Sequence, residues 1–311
     1  MYFLLSAALG IFLLLCGIFG MRHGLQNLLG SKLRKMLTTI TVNPWRGLLV
    51  GIFTSALMQS STAVSLITIG LVSANYLSFY QSLGIILGAN IGTCTTVQLM
   101  TVSLPNHYIY PLLLLFIIIM ILIKKVRYPA MAVSGLLSIF AGIELLSATL
   151  SNISELNTAI QYIVAGNTNP LYGIAGGILI TLLLQSSSAA TAVLMAFAAD
   201  GKVDLLTACY VVYGNNIGSC ISSLIIGAAA PLAAKRVAAA HIILNIAGAM
   251  IFLPFTNLLT ALVAMLSSDF AGQIAFVHTL FNLLSSIVVM PFVRQYAKLI
   301  IFLIPGRNRD W

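Results

Sequence analysis

Two polar runs interrupt long apolar stretches of this chain: Gln59-Ser60-Ser61-Thr62 and Gln185-Ser186-Ser187-Ser188. Each lies near the middle of a stretch of about 28 residues, 46–73 and 171–199. One bilayer crossing needs about 20 apolar residues and two need about 40. Each stretch is therefore a broken span or a re-entrant hairpin of two half-helices. At the break the first half-helix ends in free carbonyls and the second begins with free N–H groups. Lipid satisfies neither, so such backbone must be buried in protein or line a wet cavity. Ser and Thr cap helix N-termini well. The positive end of the second half-helix suits an oxyanion, and the carbonyl end of the first, with the Gln amide oxygen, suits a small hard cation. Two such tips facing each other would form a site for an oxyanion plus monovalent cations. The competing reading is that Ser and Gly only let helices pack closely.

Duplication favours the site. A shift of 126 residues lays 47–65 on 173–191 with eight of 19 positions identical, Gln59/Gln185, Ser60/Ser186 and Ser61/Ser187 among them. The same shift lays GANIGTCTT (88–96) on GNNIGSCIS (214–222) with five of nine identical. A shift of 125 relates 10–25 to 135–150 through Gly10/Gly135, Gly17/Gly142, Ile18/Ile143 and Leu25/Leu150. A smaller similarity of 37 residues relates His241, Asn245 and Pro254-Phe255 to His278, Asn282 and Pro291-Phe292. The Gly/Asn segments read as an unwound mid-membrane helix with open carbonyls, Asn90 and Asn216 being candidate cation ligands. The alternative is a close helix crossing at Gly88/Gly92 and Gly214/Gly218, a GxxxG pattern in both copies.

The elements that position these tips follow from composition. Of 311 residues, 60% are hydrophobic and 7% charged, against roughly 25% charged in soluble domains. Mean hydropathy is +1.05. An all-α integral membrane protein follows, and a soluble enzyme, a disulfide scaffold, a disordered chain and a β-barrel are excluded. The four cysteines form no CxxC, so no disulfide framework or transition-metal site is expected. Further spans are expected at 2–21, 79–98, 107–123, 128–150, 204–227, 237–255 and 274–293. The first, with no basic n-region or clear cleavage site, reads as a retained span rather than a signal peptide.

Orientation follows from the 15 Lys and Arg residues that produce the net charge of +9. With both broken stretches as hairpins, every basic residue except Lys202 falls on one side, which the positive-inside rule makes cytoplasmic. That predicts an external N-terminus, a cytoplasmic C-terminus, and a multi-pass protein of the cell membrane. The excess positive charge then sets orientation and implies no nucleic acid partner. Arg22 belongs to this cytoplasmic set, and Arg46 with Lys32, Arg34 and Lys35 anchors the first hairpin, attraction of anions to an inner vestibule being the alternative. Three crossings separate the copies, so they insert with opposite orientation: residues 1–127 as the first inverted repeat, 128–311 as the second with additional C-terminal spans. Inverted repeats with broken elements near the midplane are the architecture of secondary transporters.

Three buried polar groups stand outside the tips. Glu144, inside an apolar span, calls for a partner, with Ser or Asn as the structural reading and a functional role as the other. Its repeat mate is Phe19, so it belongs to no duplicated site. His241 and His278 lie one helical turn from Asn245 and Asn282 and read as interhelical hydrogen-bonding groups, with proton-linked regulation as the alternative.

The paired QSST/QSSS tips and GANIGT/GNNIGS segments resemble those of the type II sodium/phosphate cotransporter family over about residues 1–293. The resemblance implies inverted repeats, each with a re-entrant hairpin and an interrupted helix, and sodium-driven uptake of inorganic phosphate. It implies a phosphate site between the tips, formed by Gln59, Ser60, Ser61, Thr62, Gln185, Ser186, Ser187 and Ser188. Gln59, Gln185, Asn90, Thr93, Thr95, Asn215, Asn216 and Ser219 are the candidate sodium ligands. Sodium ions couple transport and no cofactor is expected; the bilayer is the remaining partner, and a homo-oligomer is left open. Thr62 stands where Ser is usual, and GNNIGSC where the family prefers GANIGTT. No soluble tail follows Trp311, so the phosphate-regulator-like domain of some bacterial members is not expected.

With few acidic groups in the spans, cation ligands must be mostly neutral oxygens, which favours sodium over a proton relay. Symport of another small oxyanion, or a passive anion channel with sodium-independent flux, stays open. An intramembrane serine hydrolase is disfavoured: GxSG and HExxH are absent and neither tip has a His nearby in sequence.

Overall fold

The computed structural model describes residues 2–102, 104–150, 169–199 and 201–306. Every regular element among them is helical. In chain order these are α1 (Tyr2–Thr39), α2 (Pro44–Met58), α3 (Ser61–Ser73), α4 (Phe79–Leu99), α5 (Asn106–Leu122), α6 (Arg127–Leu150), α7 (Pro170–Leu184), α8 (Ser187–Ala199), α9 (Leu205–Ala228), α10 (Leu232–Phe252), α11 (Thr256–Leu266), α12 (Phe270–Val289) and α13 (Val293–Leu303). Among the described residues, six helices or helix pairs are long and apolar enough to cross a membrane: 5–28, 79–99, 124–149, 205–228, 232–266 and 270–303. Apolar side chains face outward on them, Phe19 at 71% and Met250 at 67% exposure; in a bilayer this is the solvated surface.

Both broken stretches break where the polar runs predict. α2 has 15 residues and α3 has 13, and α7 and α8 repeat these lengths. At 1.5 Å per residue each half is about 20 Å long, short of a hydrocarbon core of about 30 Å. Their starts repeat too. Asn43 Oδ1 accepts from Arg46 N at 2.9 Å, Asn169 Oδ1 accepts from Leu171 N at 2.9 Å, and proline opens each helix. Asparagine caps free amides, and proline has none to leave unpaired.

The segment expected at 107–123 forms the 17-residue α5, at the lower end of the length of a crossing, with Pro111 inside it. Three differences from the sequence expectations have physical causes. α1 continues past Met21 to Thr39 with no proline in it, so Arg22 lies within a helix and not in a loop. The GANIGT and GNNIGS segments are not unwound, because α4 and α9 run through them as continuous helices. Their glycines serve contact instead: a Cβ on Gly88 would collide with the Leu48 carbonyl, and one on Gly214 with that of Ile174. The interruptions fall elsewhere, at the 3-10 turns Leu253–Phe255 and Met290–Phe292, each carrying one of the Pro-Phe pairs 37 residues apart and each followed by an 11-residue helix. Residues 151–168, expected outside the cell, and Arg307 and Arg309, expected inside, lie outside the described residues.

The chain forms two compact units, each drawn from several segments. The first comprises Met1–Leu28, Val97–Asn215 and Phe255–Val277. In it α1 and α6 pack antiparallel through their glycines: a Cβ on Gly17 would lie 2.6 Å from Gly135 O, and one on Gly142 would lie 2.8 Å from Gly10 O. These are the residues paired by the 125-residue shift, so each helix presents to the other the glycines that the other presents to it. α8 packs on α6 in the same unit. The second unit comprises Leu29–Thr96, Asn216–Pro254 and His278–Trp311. Its core joins Val64, Ile69, Phe79, Ile85, Val237 and Ile300, with α3 packed on α10.

Candidate functional site

The two tips share one backbone. Gln59 closes α2 in the left-handed region (φ 53°, ψ 31°), and Gln185 closes α7 there (φ 51°, ψ 27°). A side chain in that region costs about 1–3 kcal/mol, which glycine would avoid. Ser60 then turns extended and caps α3, its Oγ accepting from Ala63 N at 3.1 Å. Ser186 Oγ accepts from Ala189 N at 3.3 Å. Serine was expected to cap here, and it does in both copies.

Side chains separate the tips. In the second unit Gln59 is buried; its Nε2 donates to Ala56 O and reaches Thr95 Oγ1 at 3.5 Å. Ser61 is buried, and Thr62 Oγ1 donates to Ser219 O at 3.3 Å. The first tip thus meets α4 and α9, gathering Gln59, Thr62, Thr95 and Ser219. In the first unit Gln185 is exposed, with Nε2 donating to Leu182 O at 2.6 Å. Ser188 is buried, and the Ser187 carbonyl accepts from Thr191 Oγ1 at 2.9 Å. Ser186 Oγ also accepts from Arg22 Nη2 at 3.0 Å.

The remaining sodium candidates divide between helix packing and buried networks. Asn215 Oδ1 accepts from Thr181 Oγ1 at 3.1 Å and its Nδ2 donates to Thr191 Oγ1 at 3.2 Å, so one amide ties α7, α8 and α9 together. At the equivalent position of the first copy stands Ala89, and the buried Ser55 hydroxyl there has no hydrogen-bond partner. Asn90 Oδ1 lies 2.9 Å from His241 Nε2, while His241 Nδ1 lies 3.2 Å from Ser65 Oγ. Asn216 Oδ1 accepts from Asn282 Nδ2 at 2.9 Å. Cys94 Sγ contacts the carbonyls of Asn90 and His278, and Cys220 Sγ those of Asn216 and His241. The two HxxxN motifs therefore meet the two Gly/Asn segments, with His241 bonding between helices as expected. Thr93 and Ser219 are buried and Thr95 exposed. Thr95 Oγ1 donates to Gly92 O at 2.8 Å and Ser219 Oγ to Asn216 O at 2.7 Å, each back to its own helix.

With the tips and their partners in place, comparison with known proteins is decisive. A family model described as "Na+/Pi-cotransporter" matches the chain twice in tandem, at residues 13–148 and 149–288. The chain belongs to the Na+/Pi-cotransporter family. Family membership brings phosphate transport as the class of function. The uncharacterized protein YqeW of Bacillus subtilis is 31% identical over 99% of this chain and 100% of its own. YjbB of Escherichia coli K12, named for inorganic phosphate export, is 29% identical over 85% of this chain. The chain spans about half the length of that relative, 48% being matched. The rabbit sodium-dependent phosphate transport protein 2A is 36% identical over 58 residues, 19% of this chain and 9% of that protein. No solved structure matches.

Two features of this cotransporter-family chain escape a reading of motifs alone. Arg22 reaches the second tip, whereas the expected end of the first span put it in a loop; the unbroken helical run after Met21 was the available signal. Glu144 lines a cavity of about 540 Å³ with Asn106, Phe140 and Ser147. Asn106 opens α5, so only the α5–α6 packing could have brought it to this cavity.

Proposed function

We propose that this protein is a sodium-coupled transporter of inorganic phosphate in the cell membrane, its N-terminus outside and its C-terminus cytoplasmic. The observation that carries the reading is the repetition of one tip backbone, left-handed Gln then capping Ser, at a spacing of 126 residues. A left-handed glutamine retained in both copies is a strained position, and such positions gather at ligand-binding sites. Phosphate is bound by Gln59, Ser60, Ser61 and Thr62 of one tip and by Gln185, Ser186, Ser187 and Ser188 of the other, through hydroxyls and first-turn amides. Sodium is bound by neutral oxygens of Gln59, Gln185, Asn90, Thr93, Thr95, Asn215, Asn216 and Ser219. The antiparallel glycine contact of α1 with α6 supports inverted repeats at 1–127 and 128–311. Each sodium moved down a membrane potential contributes about 2.3 kcal/mol per 100 mV; two balance HPO₄²⁻ and a third makes transport electrogenic.

The name carried by YjbB favours outward movement as a second reading. A coupled carrier is reversible, so the summed gradients set its direction. Protein reconstituted in liposomes should accumulate labelled phosphate under an inward sodium gradient and not under potassium. Gln59→Ala and Gln185→Ala should each cut that flux at least about 10-fold, the loss of one hydrogen bond to a charged group. Sodium-independent flux would reject coupling, and full activity of both variants would reject the site.

A further inference from the structure

α12 buries a row of polar side chains. His278, Asn282 and Ser286 follow one another at intervals of four residues, so they share one side of the helix, inside the candidate span 270–303. They are 1%, 1% and 0% exposed, and all three belong to the second unit. His278 Nδ1, Asn282 Oδ1 and Ser286 Oγ have no hydrogen-bond partner among the described residues. A buried polar atom left unpaired costs free energy, and native proteins keep few of them without a reason such as a bound ion or water.

The Asn282 amide has a fixed direction. Its Nδ2 donates to His278 O and to Asn216 Oδ1, each at 2.9 Å. A main-chain carbonyl only accepts, so the nitrogen must face it and the free group is the oxygen. Both amide hydrogens are then used, and Oδ1 offers lone pairs alone. Ser286 departs from the usual use of a hydroxyl in mid-helix. Thr54, Thr68 and Ser223 each donate back to a carbonyl of their own helix, as such hydroxyls commonly do; Ser286 does not. Helix packing does not ask for it either. The 37-residue shift lays Asn245 on Asn282 and Ala249 on Ser286, and α10 buries that alanine with no hydroxyl.

We infer that Asn282 Oδ1 and Ser286 Oγ are ligands of a coupling sodium ion, on a helix that carries neither tip. They are neutral oxygens one helical turn apart, which suits a hard monovalent cation. His278 Nδ1, a nitrogen, is not assigned to the ion. Asn282 is bonded to Asn216, one of the sodium ligands proposed above, so the row on α12 extends that set. The inference deepens the sodium-coupled reading and rests on it.

The test compares wild type, Ser286→Ala and Asn282→Ala. Sodium binding is read from the rise in Tm of purified protein as sodium chloride replaces choline chloride, without phosphate. Sodium-driven flux is read from labelled phosphate uptake in proteoliposomes. Ser286→Ala removes a hydroxyl with no partner, so its Tm in choline should equal or exceed that of wild type. Its half-effect sodium concentration should rise about 3- to 10-fold in both measurements, the loss of one ligand bond. Its phosphate KM at saturating sodium should stay within about twofold. Asn282→Ala also strips Asn216 of a donor, so it should raise the half-effect concentration at least about 10-fold and lower the Tm. A rise below threefold for Ser286→Ala in the binding measurement overturns the inference and leaves the row to ordered water. A phosphate KM that rises as far as the sodium value indicates a general disturbance and also overturns it. If Ser286→Ala does not fold, Ser286→Cys, whose sulfur is a soft ligand, is read by the same rule. If wild type gains no Tm from sodium and its flux ignores sodium, the coupled reading fails and takes the inference with it. If wild type depends on sodium and Ser286→Ala matches it, only the α12 site falls.

Discussion

The first and second tips have the same backbone and different surroundings. Helix lengths, asparagine caps, opening prolines and glutamine torsions all repeat at 126 residues. Yet Gln59 is buried against Thr95 while Gln185 is exposed, and Thr62 binds a carbonyl of α9 while Ser186 receives an arginine. Backbone turns and glycine contacts admit few residue types, so both copies retain them. Side chains around the tips are freer to change, and there the copies diverge in charge and in hydrogen bonding. An arginine bonds the second tip at Ser186, while the first gathers Gln59, Thr62, Thr95 and Ser219.

The largest expected effect probes what the copies share. Gly88→Ala and Gly214→Ala each drive a methyl into a backbone carbonyl of the neighbouring helix. Backbone cannot step aside as a side-chain end can, so each should cost about 3 kcal/mol or more, seen as loss of monodisperse protein or a large drop in Tm. Tolerance in one copy alone would break the equivalence of the two helix contacts.

Next in size is a position where the copies differ. Asn215→Ala should destabilise by about 1–3 kcal/mol, because it strips the Thr181 and Thr191 hydroxyls of a shared partner. Ser55→Ala, at the site where Ala89 replaces that asparagine, should be neutral or mildly stabilising, since it removes a buried hydroxyl with no partner. Equal losses of Tm in the two variants would contradict this contrast.

The smallest effect sharpens the strain argument. Gln185→Gly relieves a left-handed side chain and should raise stability by up to about 1 kcal/mol while phosphate flux falls. Gln59→Gly gains the same relief but loses the contact with Thr95, so its Tm should hardly move. A Gln185→Gly protein that keeps both stability and flux would show that the glutamine serves neither purpose.

Much of this was legible in the sequence, for nameable reasons. The QSS runs mark both breaks because a polar run at mid-span has few other uses. His241 was recognisable as an interhelical group from the cost of burying imidazole alone. GANIGT misled because glycine both loosens a helix and lets one approach another; spacing alone does not choose, and the partner glycines on α2 do. Arg22 was hidden because a basic residue beyond an apolar run looks like a membrane-side anchor unless the helix is known to continue. The 37-residue similarity, four identities in 15, was thin as sequence, but it marks two helix pairs with matching 3-10 breaks, because proline fixes the break whatever surrounds it.

The glycine faces of α2 and α4 carry a mechanical implication. Where main chain lies directly on main chain, no rotamer can flip and no flexible side chain can act as a bearing. Such a pair has little means of sliding and behaves as a single strut. Any excursion that ferries solute must therefore carry the first tip and the helix behind it as one piece.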